Sequence, residues 1–161
     1  MIIRDADNGD WPQIFPFFRD IVAAGETYAY PEDLSSADAQ ALWMAGGPDR
    51  TIVAVDGETI VGLAKMGPNR PGRGSHIATA SFMVDPTRRG GGVGRALGEE
   101  MIDWARGSGF HGVQFNAVVE TNASAVRLWQ SLGFEILTTI PESFDHRRFG
   151  RVGLHIMYLQ L

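Results

Sequence analysis

The sequence predicts an α/β or α+β chain built on one mixed sheet, and three observations carry that reading. Short apolar runs of strand length alternate with stretches of three- and four-residue apolar spacing. Turns rich in glycine or proline separate the two kinds of segment. No segment repeats or is compositionally simple, so the 161 residues are expected to form a single domain, residues 1–161.

Each element has its own signal. Ile2-Ile3-Arg4 is a short first strand. From Gly9 to Ala24, Trp11, Ile14, Phe15, Phe18 and Val22 mark one face of an amphipathic helix. Pro12 is tolerated in its first turn, whereas Pro16 is expected to kink or restart it. Gly25 to Asp33 is a loop carrying Glu26 and Tyr28. Ser35 or Ser36 caps a second helix bearing Ala39, Leu42 and Trp43, which ends near Gly46-Gly47. Thr51–Val55 and Thr59–Met66 flank Asp56-Gly57 and read as a hairpin. Residues 67–75 are an irregular loop, and a strand from His76 to Val84 follows. A helix from Gly92 to Gly107 presents Val93, Leu97, Met101 and Trp104. Val113 to Val119 is the next strand. Asn122 caps a helix whose inner stripe is Ala125, Leu128, Trp129 and Leu132. Gly133-Phe134 ends it in Schellman fashion. Phe134–Thr139 and Val152–Leu159 complete the sheet, giving the order β-α-α-β-β-β-α-β-α-β-β.

Composition narrows the function. Hydrophobic content of 44% and charged content of 20% suit a globular chain with a substantial core. The net charge of −5 argues against a nucleic-acid-binding face. No apolar run approaches a membrane span, so no membrane partner is expected. The N-terminus lacks the charged-then-apolar layout of a secretion signal, which fits a cytoplasmic protein. The chain has no cysteine, which excludes disulfides, thiolate metal sites and a cysteine nucleophile. His111, His146 and His155 show no metal-ligand spacing; surface or core roles are expected, and no metal site is assigned.

The most informative run is Val84-Asp-Pro-Thr-Arg-Arg-Gly-Gly-Gly-Val-Gly-Arg-Ala-Leu97. A strand ends at a proline, three glycines follow, and a helix begins. Glycine lets a ligand approach the backbone, and a helix N-terminus offers unpaired N–H groups to a pyrophosphate. The lysine and hydroxyl of a P-loop are absent, and the spacing fails the dinucleotide fingerprint. Arg89-Gly-Gly-Gly92-Val-Gly94 instead meets Arg/Gln-x-x-Gly-x-Gly/Ala. Asn122-x-x-Ala-x-x-Leu-Trp-x-x-x-Gly-Phe134 follows further on.

Together these segments resemble the GNAT superfamily of acetyl-CoA-dependent N-acetyltransferases, most clearly over residues 51–139. The resemblance implies an enzyme, an acyltransferase with acetyl-CoA as donor. It implies a mostly antiparallel sheet of about six or seven strands, splayed at the cofactor site, with about four flanking helices. It places the cofactor's pyrophosphate on the amides of Arg89, Gly90, Gly91, Gly92, Val93, Gly94 and Arg95. The strand ending at Val84 should carry a bulge and part from residues 113–119. The pantetheine arm would pair there with main-chain groups of Met83 and Val84, with Asn122 and Ser124 opposite. Asn122 also serves as a helix cap, and one side chain can do both. The Val84 N–H would polarise the thioester oxygen.

Many members carry a tyrosine as general acid where this chain has Trp129, whose indole N–H is a donor and not an acid. A thiolate is a tolerable leaving group near neutrality, so the loss of that acid does not exclude activity. Glu26 and Glu120 are candidate bases, with a water chain as the alternative. Asn116 would orient the acceptor or a water beside the reaction centre. A rival reading is a catalytically weakened acyl-CoA-binding sensor.

Residues 69–134 further resemble the fungal azetidine-2-carboxylate acetyltransferases. They do so through Asn-Arg-Pro-Gly-Arg-Gly-Ser-His76, Phe82-x-Val84-x-Pro86, Phe115-Asn116 and Thr121-Asn122. Those enzymes have asparagine where this chain has Thr79. Residues 26–31 are similar to the phosphinothricin and amino-acid-sulfone acetyltransferases. Both likenesses imply a small amino acid, imino acid or analogue as acceptor, and the first implies that Phe82 and Asn116 line its pocket, with Tyr28 and His76 nearby. A homodimer through the C-terminal strands is the remaining partner expectation.

Overall fold

The computed structural model describes residues 1–44 and 46–161. Its strands are β1 (Ile2–Asp5), β2 (Arg50–Asp56), β3 (Thr59–Pro68), β4 (Ile77–Val84), β5 (Gly112–Val119), β6 (Glu135–His146) and β7 (Gly150–Gln160). Its helices are α1 (Trp11–Ala24), α2 (Ser36–Trp43), α3 (Val93–Gly107) and α4 (Ala123–Ser131). The strands form one sheet in the order β1-β2-β3-β4-β5-β7-β6. Every pairing is antiparallel except β4 with β5. The expected mixed sheet and its flanking helices are therefore present. No described helix is long and apolar enough to cross a membrane.

Strand alternation distributes side chains between two cores, one on each face. Trp11, Ile14 and Phe18 of α1 and Trp43 of α2 pack against Val53, Leu63 and Met83. Leu97 and Met101 of α3 and Trp129 of α4 pack against Ile52, Ala64 and Phe115 on the other face. Because both faces are covered, β2 and β3 are apolar nearly throughout.

Local chemistry explains the element ends. Ser35 caps α2 through the Asp38 N–H, and Asn122 caps α4 through the Ala125 N–H. α4 ends as expected: Phe134 N–H donates to Trp129 O and Gly133 N–H to Gln130 O, both at 3.0 Å. Gly133 has φ +96°, and Phe134 lies against the Trp129 ring.

Some expectations are corrected. α1 runs unbroken through Pro16. Pro16 and Pro12 both lie on its exposed side, where water can take the Pro12 carbonyl that proline leaves unpaired. The β2–β3 turn is Gly57-Glu58, one residue later than expected, with Gly57 at φ +63°. β3 extends to Pro68, into the expected loop. α2 ends at Trp43. β6 and β7 are much longer than their sequence signals and form an arm reaching to residues 146–150.

Candidate active site

The site begins where β4 and β5 separate. These parallel strands pair only at Ile77↔Gly112 and Ala78↔Val113. Beyond Ala78, the edge of β4 loses its strand partner, and a gap opens in the middle of the sheet. The expected bulge is not in β4, whose register with β3 is continuous from Ala78 to Val84. It lies in β5 instead, where pairing with β7 shifts between Phe115 and Val118. Asn116 and Ala117 bow out of the ladder there, and both are exposed.

Antiparallel pairing decides which peptide groups face the gap. The Asp85 N–H donates to Val61 O, so peptide groups of alternate residues, Met83 included, point toward β3. Those of Phe82 and Val84 point toward β5. Met83 therefore lines the gap without offering main-chain hydrogen bonds to it, a correction to its expected pairing with pantetheine. At Phe82 the vacancy is filled by Tyr28, whose hydroxyl donates to Phe82 O at 2.6 Å and accepts from Phe82 N at 2.9 Å. Burial raises the Tyr28 hydroxyl above its ordinary pKa. With both hydrogen-bonding directions in use, this oxygen seals the β4 edge. Val84 N–H is the next donor facing the gap.

Past Val84 the chain turns over Pro86 and enters α3. Asp85 secures this turn by accepting from both the Thr87 N–H and the Thr87 hydroxyl at 2.8 Å. Gly90 and Gly92 adopt φ +85° and +77°, and a Cβ on either would meet open space. The first amide satisfied in the helix is Ala96, bonded to Gly92 O, and no side chain caps the start. Among the described residues the amides from Gly90 through Arg95 have no partner. Clustered free donors beside glycines at a helix N-terminus fit a pyrophosphate. The residues present therefore suit the cofactor's phosphates.

Arg88, Arg89 and Gly90 line a cleft of about 590 Å³ that includes Val84 and Ser124. The Arg95 side chain turns away to Ser131 and Glu99, so Arg95 offers only its amide. Gly94 lies close against α4, where a Cβ would come 3.2 Å from the end of the Leu128 side chain. Ser124 donates to Asn122 Oδ1, so its hydroxyl supports the cap of α4.

A second cleft of about 420 Å³ lies beyond the gap, walled by Tyr30, Thr79, Asn116 and Phe144. Thr27, Tyr28, Phe82, Asn122, Ala125 and Trp129 border both clefts. The two clefts therefore adjoin along these residues and are together termed the slot. Trp129 lies there 4.7 Å from the Phe82 ring and 4.9 Å from the Phe115 ring. It is buried in the core and forms part of the slot wall.

The remaining expected site residues separate clearly. Asn116 donates to Asn69 Oδ1 at 2.7 Å and accepts from Gln114 at 2.9 Å, so it is a satisfied amide at the slot wall. Glu26 lines the first cleft but is paired with Arg148 at 2.9 Å, which disfavours it as a free base. Glu120 accepts from the Gly153 N–H. His76 lies outside the slot. It contacts His111 at the opposite end of β4, about 25 Å along the strand from Val84.

Sequence reasoning missed Ser143, Phe144, His146, Arg148 and Phe149 as slot residues. Alternate Phe144 and His146 before a glycine-ended turn were the available signal. No three- or four-residue group of His, Cys, Asp or Glu suited to a metal is found among the described residues.

Comparison with known proteins agrees with this geometry. Residues 14–134 match the Acetyltransferase (GNAT) family. A GCN5-related N-acetyltransferase from Kribbella flavida superposes with TM-score 0.96 at 58% identity, covering 99% of this chain and 97% of that one. Salmonella typhimurium yncA, solved with its cofactor acetyl-CoA, superposes with TM-score 0.87 at 28% identity over 100% and 94% of the two chains. The L-methionine sulfoximine/L-methionine sulfone acetyltransferase of Pseudomonas aeruginosa is 34% identical over 99% of this chain and 92% of its own. The chain spans only 42% of N-acetyltransferase aca1 of Schizosaccharomyces pombe and 13% of Saccharomyces cerevisiae Protein SPT10.

Proposed function

This chain belongs to the GNAT acetyltransferase family, and on that footing we propose that it acetylates the amine of a small amino acid, imino acid or analogue, using acetyl-CoA. The observation carrying the reading is the run of free amides from Gly90 to Arg95, open to a gap that leads to the Val84 N–H. When bound, acetyl-CoA supplies an activated acetyl thioester.

The chain's own groups have separate tasks. The glycine-turn amides and Arg88 hold the phosphates, while Val84 N–H donates to the carbonyl oxygen as negative charge develops. Phe82 and Trp129 exclude water where the two clefts meet. The acceptor's side chain points toward the opposite cleft, and its amine meets the thioester beside Val84 as the free base. Transfer runs directly from thioester to amine, as the family resemblance implies, and the lack of a cysteine is consistent with it. The departing thiolate needs no strong acid at neutral pH, because a thiol has a pKa of about 8.5.

Relatives support the acceptor class. The Pseudomonas aeruginosa enzyme is named for methionine sulfoximine and sulfone, and an Escherichia coli relative, 34% identical over 124 residues, is an L-amino acid N-acyltransferase. The test is acetyl-CoA-dependent thiol release across a panel of amino acids, imino acids and simple amines. Turnover with amino acids supports the reading. Tight acetyl-CoA binding without turnover of any amine overturns it in favour of an acyl-CoA sensor, the reading to which Trp129 lends weight.

A further inference from the structure

A carboxylated acceptor needs a place for its charge, and the acceptor-side cleft provides none. Its lining contains aromatic rings, hydroxyls, amides and small apolar residues, with no charged side chain. Burying a carboxylate there without a cation would be strongly unfavourable. The charged and imidazole side chains bordering the slot lie in the first cleft, and they form two groups. Arg88 and Arg89 belong to the glycine turn. Glu26, His146 and Arg148 belong to the tip of the β6–β7 arm and the loop that it clasps.

That tip is firmly held. The Arg147 N–H donates to Gly25 O at 2.9 Å, and the Arg147 side chain pairs with Glu32. Arg148 pairs with Glu26, and its guanidinium lies 5.3 Å from the Phe149 ring centre. Phe149 stacks on His146 at 4.7 Å. His146 is only 4% exposed. Its Nδ1 accepts from the Arg148 and Phe149 amides at 3.1 and 3.3 Å, which places the ring proton on Nε2. Among the described residues, nothing accepts from that Nε2–H, and the ring borders the cleft.

We propose that this tip is the subsite for the acceptor's carboxylate, with His146 Nε2–H and the outer guanidinium nitrogens of Arg148 as its donors. Arg148 uses its Nε on Glu26 and keeps its remaining N–H groups for an anion. Phe144, two residues before His146 on the same strand face, borders the acceptor-side cleft and continues the surface toward the side-chain pocket. The proposal rests on the amino-acid reading given above.

The test compares L-methionine sulfone with 3-(methylsulfonyl)propan-1-amine, the same acceptor without its carboxylate, in wild type, R148Q and H146F. Wild type is expected to favour the amino acid at least tenfold in kcat/KM. Both variants should lose about tenfold or more of that ratio, through KM for the amino acid and with KM for acetyl-CoA unaltered. Arg148 is exposed, so R148Q retains a folded chain even where H146F does not. Wild type without preference for the carboxylated acceptor overturns the amino-acid reading and the subsite with it. Wild type that discriminates, beside an R148Q variant with the same ratio or with a defect only toward acetyl-CoA, overturns the subsite alone.

Discussion

Removing one oxygen from Tyr28 would leave both main-chain groups of Phe82 without their protein partner. Y28F is expected to cost about 1–3 kcal/mol in urea unfolding and to lower kcat/KM by distorting the slot. The Tyr28 pKa is raised on folding, so the contribution of its neutral hydroxyl is fully present below about pH 10 and lost as pH rises further. Wild type should therefore lose more stability than Y28F as pH rises above about 10. E26Q should lower kcat by less than the ~10²–10⁴ that removal of a general base produces, because Glu26 is engaged by Arg148. The initial-rate pH profile checks this, and a hundredfold fall with loss of its basic limb would restore Glu26 as base. The sequence displayed Tyr28 and Asn116 as notable polar residues but not their partners. Those partners come from distant segments, Phe82 and Asn69, and only the folded chain brings them together.

Elements with local determinants were the most legible. The Asn122 cap, the Schellman end of α4 and the glycine turn before α3 each depend on neighbours within a few residues. The bulge falls in β5 and not in β4 because the break follows from pairing between β5 and β7, which no local pattern encodes. The β6–β7 arm is longer than its sequence signal because Pro141 and Glu142 interrupt the strand pattern locally while pairing with β7 resumes beyond them. Two substitutions test this level. G92A meets no clash, but its φ of +77° strains alanine by about 1–2 kcal/mol; acetyl-CoA affinity should fall at least tenfold by calorimetry. G98A sets a methyl 3.0 Å from the Trp129 ring and 2.9 Å from Leu132, and should cost about 1–3 kcal/mol in thermal or urea unfolding.

For the whole molecule, the gap in the sheet is a structural liability that a ligand can relieve. At about 100-fold excess over Kd, acetyl-CoA should stabilise the fold by roughly 2.7 kcal/mol. For a chain of this size that is about 5–10 °C in Tm. Fold class and element order could be read from sequence because two apolar periodicities alternate along the chain. The adjacency of the two clefts could not, since α1, β4, α4 and the β6–β7 arm all contribute to their walls. The central claim is that the free amides after β4 grip the cofactor's phosphates while Val84 N–H meets its thioester. Titration of ¹⁵N-labelled protein with acetyl-CoA, followed by amide resonances, tests it most directly. Gly90 through Arg95 and Val84 should show the largest shifts. Saturation that leaves those amides unmoved would contradict the account.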